Sequence, residues 1–204
     1  MAQNLGSINL RDSEVKSTLA DAEARLGTYY LASNPQYYEP QRSNTFKFYV
    51  TGLNGLLDGW SVSTDTNEEQ ALELAVKASS VPQFDIGKIS ISRGNNQMHF
   101  AGKPEFKDGA IKVHDYIGAH TKEILMAWQR QAYNVETEKV GLAKDYKKQA
   151  YLLEYTPTFQ LVRTWVLEGC WLSSISEGEF DHDSAEARIM DATIVYDKAY
   201  LEAN

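Results

Sequence analysis

The longest regular pattern in the chain is QLVRTWVLEGCWLSS, Gln160 to Ser174, which alternates like a strand yet carries apolar and aromatic side chains on both faces. A second long ribbon, EARIMDATIVYDKAY from Glu186 to Tyr200, runs without Gly or Pro and sets Met190, Ala192, Ile194 and Tyr196 on one side. Shorter alternating segments predict strands at FKFYVT (46–51), at WSVST from Trp60, at KISISRG with Ile89 and Ile91 between serines, at AIKVHDY, and at QAYLLEY, which Pro157 ends. Turn residues in GLNGLLDG join the first two into a hairpin with an apolar loop, and Gly102 and Pro104 predict a turn inside QMHFAGKPEF.

Helical spacing is rarer. Thr66-Asn67-Glu68-Glu69 resembles a capping box and predicts a helix to about Ala78, with acids in its first turn and Lys77 near its end. In TKEILMAWQRQAY (121–133), Leu125, Trp128 and Ala132, flanked by Ile124 and Tyr133, make one apolar stripe that predicts packing against a sheet. NVETEKVGLAKDYKKQ after it reads as a polar loop. Near the start, DSEVKSTLADAEARL (12–26) predicts a short amphipathic helix, followed by a Tyr- and Pro-rich extended arm, so residues 1–41 separate from a main domain at 42–204.

Length makes the two ribbons unusual. Phe159–Leu172 and Glu186–Tyr200 would each span roughly 45–50 Å if fully extended, more than twice the usual strand of about 5 or 6 residues. Two readings stand. Partner chains cover the extra faces and edges in a closed ring, or a bend around Glu168 and Gly169 folds one strand into two ordinary ones.

Composition narrows the function classes. The 204 residues are 43% hydrophobic, ample for one core, and mean hydropathy is −0.44 with no run long enough to span a bilayer. The first residues lack a signal-peptide layout, which predicts a soluble chain made in a cytoplasm and no stable membrane anchoring. Acidic residues outnumber basic ones 28 to 20, for a net charge of −8, and no basic cluster exceeds a pair such as Lys147-Lys148. Such a body repels a polyanion at long range, which argues against gripping nucleic acid and is compatible with guiding it. The single cysteine, Cys170, excludes an intrachain disulfide and reads as a buried thiol.

No catalytic, cofactor-binding or metal constellation emerges. His99, His114, His120 and His182 stand outside any metal-ligand spacing, and His114-Asp115 are strand neighbours that point to opposite faces. Asp181-His182-Asp183 lacks the Gly and Glu of a calcium loop and reads as a solvated turn. Trp60, Trp128, Trp165 and Trp171 lack the basic groove that a base-stacking platform needs, and read as core and interface residues.

The order of motifs resembles the phage tail tube protein family, in its contractile-tail branch, which is related in fold to the type VI secretion tube subunit. The residues that carry it are RSNTFKFYVTG (42–52), GKISISRG (87–94), GKPEF with IKVHDYIG (102–118), TKEILMAWQRQAYN (121–134), KVGLAKDYKK (139–148), RTWVLEGCW (163–171), GEFD (178–181) and ATIVYDKAY (192–200). The sequence departs at Leu172, where proline is frequent, and at Glu138, where a turn glycine is common.

The resemblance implies a mainly β (α+β) subunit, a β-sandwich or barrel-like tail tube fold with a flanking α-helix, six copies forming a continuous inner β-barrel in a hexameric ring. Stacked rings would make the inner tail tube of a virion, assembled in the host bacterial cytoplasm, with tail sheath, tape-measure, baseplate and tail terminator proteins as partners. DNA would pass through transiently, and the subunit would be no enzyme and need no cofactor. The loop Gly52–Gly59 and the excursion from Asp65 to Phe84 resemble ring-contacting segments, which offers Gly52, Leu53, Leu56, Leu57 and Asp58 as contacts between rings. The other reading has these leucines fold back onto their own subunit. On the first, Leu53→Glu with Leu57→Glu blocks stacking and leaves the fold intact. A lumen that lets DNA slide is expected to be acidic, with Asp191 and Asp197 as candidates. The alternatives are a tube subunit of a phage-derived bacteriocin or type VI-like secretion machine, and a ligand-binding β-barrel outside tails.

Overall fold

The computed structural model describes residues 40–58, 60, 67–183 and 185–202. The amphipathic helix expected at 12–26, the arm before residue 40 and the strand expected after Trp60 lie outside them. Residues from Ser43 onward form one compact unit.

Most of that unit is one antiparallel sheet folded over on itself. The strands are β1 (Phe46–Thr51), β2 (Val76–Ser79), β5 (Gly109–His114), β8 (Lys148–Tyr155), β9 (Leu161–Glu177), β10 (Ile189–Val195) and β11 (Lys198–Glu202), in the order β1-β8-β9-β10-β5-β2 with β11 also on β9. β9 organises the whole. Its first half, Thr164–Glu168, pairs with β8 on one side and β11 on the other, whereas Trp171–Glu177 pairs with β10. The change of partner falls at Gly169, which takes φ +68. The bend expected around Glu168 and Gly169 is therefore present, but it does not split the ribbon: β9 is continuous over 17 residues and bends where it passes from one half of the sheet to the other. The second ribbon is interrupted opposite that bend. After a one-residue register shift between Thr193 and Ile194, the end of β10 and β11 keep one register along β9, and Tyr196-Asp197 between them bridges the gap through the Asp197 N–H to the Glu168 carbonyl at 3.0 Å.

The two halves close on a shared core. Phe48, Val50, Ala150, Leu152 and Leu167 from one half meet Ile111, Val113, Met190, Ala192 and Ile194 from the other. Met190, Ala192, Ile194 and Tyr196 face this core together, as their alternation predicts.

Two helices cover what the sheet leaves open. α1 (Glu68–Ala75) is capped by Asn67, whose side chain accepts the Glu69 N–H at 2.9 Å. It ends at Ala75, earlier than expected, because Val76–Ser79 pairs with β5 as β2. α2 (Thr121–Ala132) turns Ile124, Leu125, Ala127 and Trp128 into the core. Its first residue is fixed by a buried hydroxyl: Thr121 Oγ1 donates to the His114 carbonyl and accepts the Tyr116 N–H, each at 2.9 Å. The polar segment that follows is less irregular than its composition suggests, with a short ladder of β6 (Tyr133–Asn134) and β7 (Lys139–Val140) and a helical turn α3 (Ala143–Tyr146).

The largest departure from expectation is a projecting ribbon. β3 (Phe84–Arg93) and β4 (Asn96–Phe106) pair with one another and with no other described strand. The turn expected at Gly102 and Pro104 does not occur. Gly102 instead sits at a bulge where its α-carbon approaches Gly87 so closely that a Cβ would lie 2.8 Å from the Gly87 carbonyl oxygen, and Pro104 is tolerated because its side of the ribbon has no further strand to bond.

Candidate functional site

Among the described residues the candidate site is a set of surfaces, and the β3–β4 hairpin is the most conspicuous. Its turn is the two-residue Gly94-Asn95, with Gly94 at φ +63, the backbone that matches the twist of a tight hairpin. Cross-strand pairing puts Ile89 opposite Phe100 and Ile91 opposite Met98, so four apolar side chains share one face near the tip. Each remains about half exposed, at 47–53%. On the other face Ser90 Oγ lies 3.1 Å from His99 Nδ1. At the base Phe106 packs edge-on to Tyr196 at 6.1 Å, and the Tyr196 hydroxyl accepts the Gln83 N–H at 3.3 Å. The sequence carries a signal for this ribbon in the Ile/Ser alternation followed by a Gly-Asn turn.

The loop expected to touch neighbouring rings is built differently. Leu53, Leu56 and Leu57 are 0%, 9% and 4% exposed and belong to the subunit's own core, which corrects the expectation that they offer apolar contacts to another ring. Their inward turn has a local cause. The Glu69 carboxylate accepts the N–H groups of Gly52 and Leu53 at 2.6 and 3.2 Å, and Glu68 accepts that of Gly55 at 3.3 Å, so the start of α1 folds the loop down. Asp58 stays exposed, its N–H bonded to the Gly55 carbonyl.

The two lumen candidates occupy different settings. Asp191 lies on the outer face of β10 directly across from Lys112 of β5 and pairs with it at 3.3 Å, among the side chains of Thr193, Ser174 and Ser176. Asp197 belongs to the bend. Its carboxylate accepts from Lys147 Nζ at 2.6 and 2.8 Å and lies over Gly169, where a Cβ would come within 2.3 Å of it. It is a clamp on the β9 crossing.

Residues weighed for chemistry are tied up structurally. Asp115 faces Arg188 at 3.7 Å, and the Asp183 N–H donates to Asp181 Oδ1 at 3.0 Å in a local turn. Trp128 Nε1–H donates to the Tyr146 carbonyl and Trp165 Nε1–H to Glu154, each at 3.0 Å, so the tryptophans brace separate places. Cys170 is fully buried, and burial pushes its thiol well above the usual range. Among the described residues no group of three His, Cys, Asp or Glu side chains could hold a metal, and no helix is long and apolar enough to cross a membrane.

A folded-over antiparallel sheet with a flanking helix and a free hairpin defines the class: a mainly β fold of the tail-tube type. Solved structures that share this fold include chains of contractile injection systems. A chain of the sheath–tube complex of an extracellular contractile injection system (PVC) in its extended state aligns over 87% of this chain and 99% of its own, with TM-score 0.58 and 16% identity. The tube-terminating cap of the anti-feeding prophage aligns over 81% and 92%, with TM-score 0.58 and 13% identity. A chain of the PVC sheath/tube terminator aligns over 80% and 97%, with TM-score 0.57 and 16% identity. No family model and no curated protein matches the sequence.

Proposed function

We propose that the chain is a structural subunit that joins copies of itself into a hollow tube. The observation that carries this reading is the β3–β4 hairpin, a long ribbon with an apolar face that nothing in the described chain covers. A contiguous exposed apolar patch of this kind marks an interaction surface, and an unpaired ribbon edge invites strand pairing. The shared fold with chains of tube, cap and terminator assemblies supports the same reading.

In detail, six copies form a ring, rings stack, and the tube serves as the inner conduit of a contractile tail that carries a genome into a bacterial cell. Sheath, tape-measure, baseplate and terminator proteins are its partners, and it is assembled in the host cytoplasm into the virion. It catalyses nothing. The outer face of β10 and β5 is the candidate lumen wall, because its hydroxyls and the charge-balanced Asp191–Lys112 pair leave no unpaired cation to hold phosphate. The extracellular injection systems among the structural neighbours favour a second reading, the same tube in a device that carries no DNA. Size-exclusion chromatography and negative-stain microscopy of the purified chain test the shared core of both. Rings or tubes are the expected result, and a stable monomer at every concentration overturns it.

A further inference from the structure

Resting on that tube reading, we infer that the β3–β4 hairpin of one copy seats on the acidic turn between β9 and β10 of a second copy. The hairpin is chemically unlike the body that bears it. From Gly87 to Lys103 it holds Lys88, Arg93 and Lys103 and no acidic residue, in a chain where acids outnumber bases 28 to 20. Its Ile89–Phe100 and Ile91–Met98 pairs supply an apolar centre on the strand face that Arg93 shares near the tip and the Gly102-Lys103 bulge shares near the base, while Lys88 lies on the opposite face with Ser90 and His99. The complementary surface is acidic with an apolar centre of its own.

The turn that follows β9 has that character. Glu179, Asp181 and Asp183 are exposed around Phe180, which is itself 84% exposed. Phe180 is held from beneath, its ring stacked on the Arg188 guanidinium at 4.0 Å, and Arg188 is anchored in turn by Glu177 and Asp115. A large apolar ring presented on a fixed base and ringed by acids has no partner of its own size within the described chain.

Placement makes the contact intermolecular. The hairpin springs from the Tyr196 end of β10, whereas the acidic turn enters β10 at Ile189, so the length of that strand, roughly 20 Å, separates them. Copies repeated in the same direction bring such opposite ends together, a heterologous contact that propagates into a stack. Opposite charge sets the orientation and the encounter rate, and the apolar centres supply the burial. The groove beside Trp60 and Trp171 is another apolar surface, but Trp171 pairs with Val195, so it lies at the hairpin's own end of β10.

Charge reversal tests the contact. Arg93→Glu with Lys103→Glu, and separately Glu179→Lys with Asp181→Lys, change exposed side chains and should leave the circular dichroism spectrum unaltered. Each pair alone is expected to abolish tubes in electron micrographs while single rings persist, and combining all four changes is expected to restore tubes. Tubes from either reversal alone, or no recovery in the combined variant, overturn this contact and leave the tube reading standing; a parent chain that never assembles overturns both. A second readout is an Ile91→Cys, Phe180→Cys variant, in which buried Cys170 does not compete. Oxidation of its assemblies is expected to give a disulfide ladder on a non-reducing gel, and tubes without a ladder count against the contact.

Discussion

Leu53 has no exposed surface and sits among core residues contributed by α1 and β1. Truncating a buried leucine typically costs about 2–5 kcal/mol, so Leu53→Ala should lower the urea midpoint by a corresponding amount, and Leu53→Glu should unfold the subunit. Gly169 tests the bend directly. A side chain there meets a positive φ and the Asp197 carboxylate together, so Gly169→Ala should destabilise by more than about 1 kcal/mol in the same assay. Glu177 carries the acid response. The hydrogen bond from Lys122, with the charges of Lys122 and Arg188, holds its carboxyl below the usual carboxylate range. A carboxyl depressed in the folded state contributes fully above its unfolded value of about 4.3, and that contribution is lost as pH falls through the folded pKa. Lys122→Met should therefore flatten the fall in stability below about pH 4.3, measured by thermal unfolding across a pH series.

The elements divide according to whether their cause lies nearby in the chain. Ile124, Leu125 and Trp128 of the α2 stripe, the strands β1, β5 and β8, and the inward set on β10 follow from local alternation and stand where the pattern puts them, whereas Tyr133, expected to flank the stripe, leaves the helix for β6 and is 48% exposed. What sequence left open or misjudged depends on distant partners. The bend in β9 is fixed by Asp197 arriving over Gly169, the loop leucines are turned inward by Glu69, and α1 stops early because β5 recruits Val76–Ser79. Gly102 and Pro104 signal a turn in isolation, but in a two-stranded ribbon they mark a bulge and an unbonded edge. The hairpin's independence has a measurable consequence. Replacing Gly87–Lys103 by a short turn removes almost no buried surface, so the remaining domain should keep its melting temperature while losing assembly. Hydrogen exchange of the parent should show the same element fast in the monomer and protected in the assembly.

At the scale of the molecule, the unit from Ser43 onward has one core among its described residues, a sheet long enough to need a bend, and a basic apolar arm at the opposite end from an acidic apolar turn. Each feature is awkward for a solitary protein and useful to a repeating one. The most direct measurement is electron microscopy of the purified full-length chain at rising concentration and low ionic strength. Closed six-fold rings stacked into hollow tubes, shortening as salt is raised, are the predicted result. Particles of a single copy under all those conditions, with the hairpin unprotected from exchange, are the result that contradicts it.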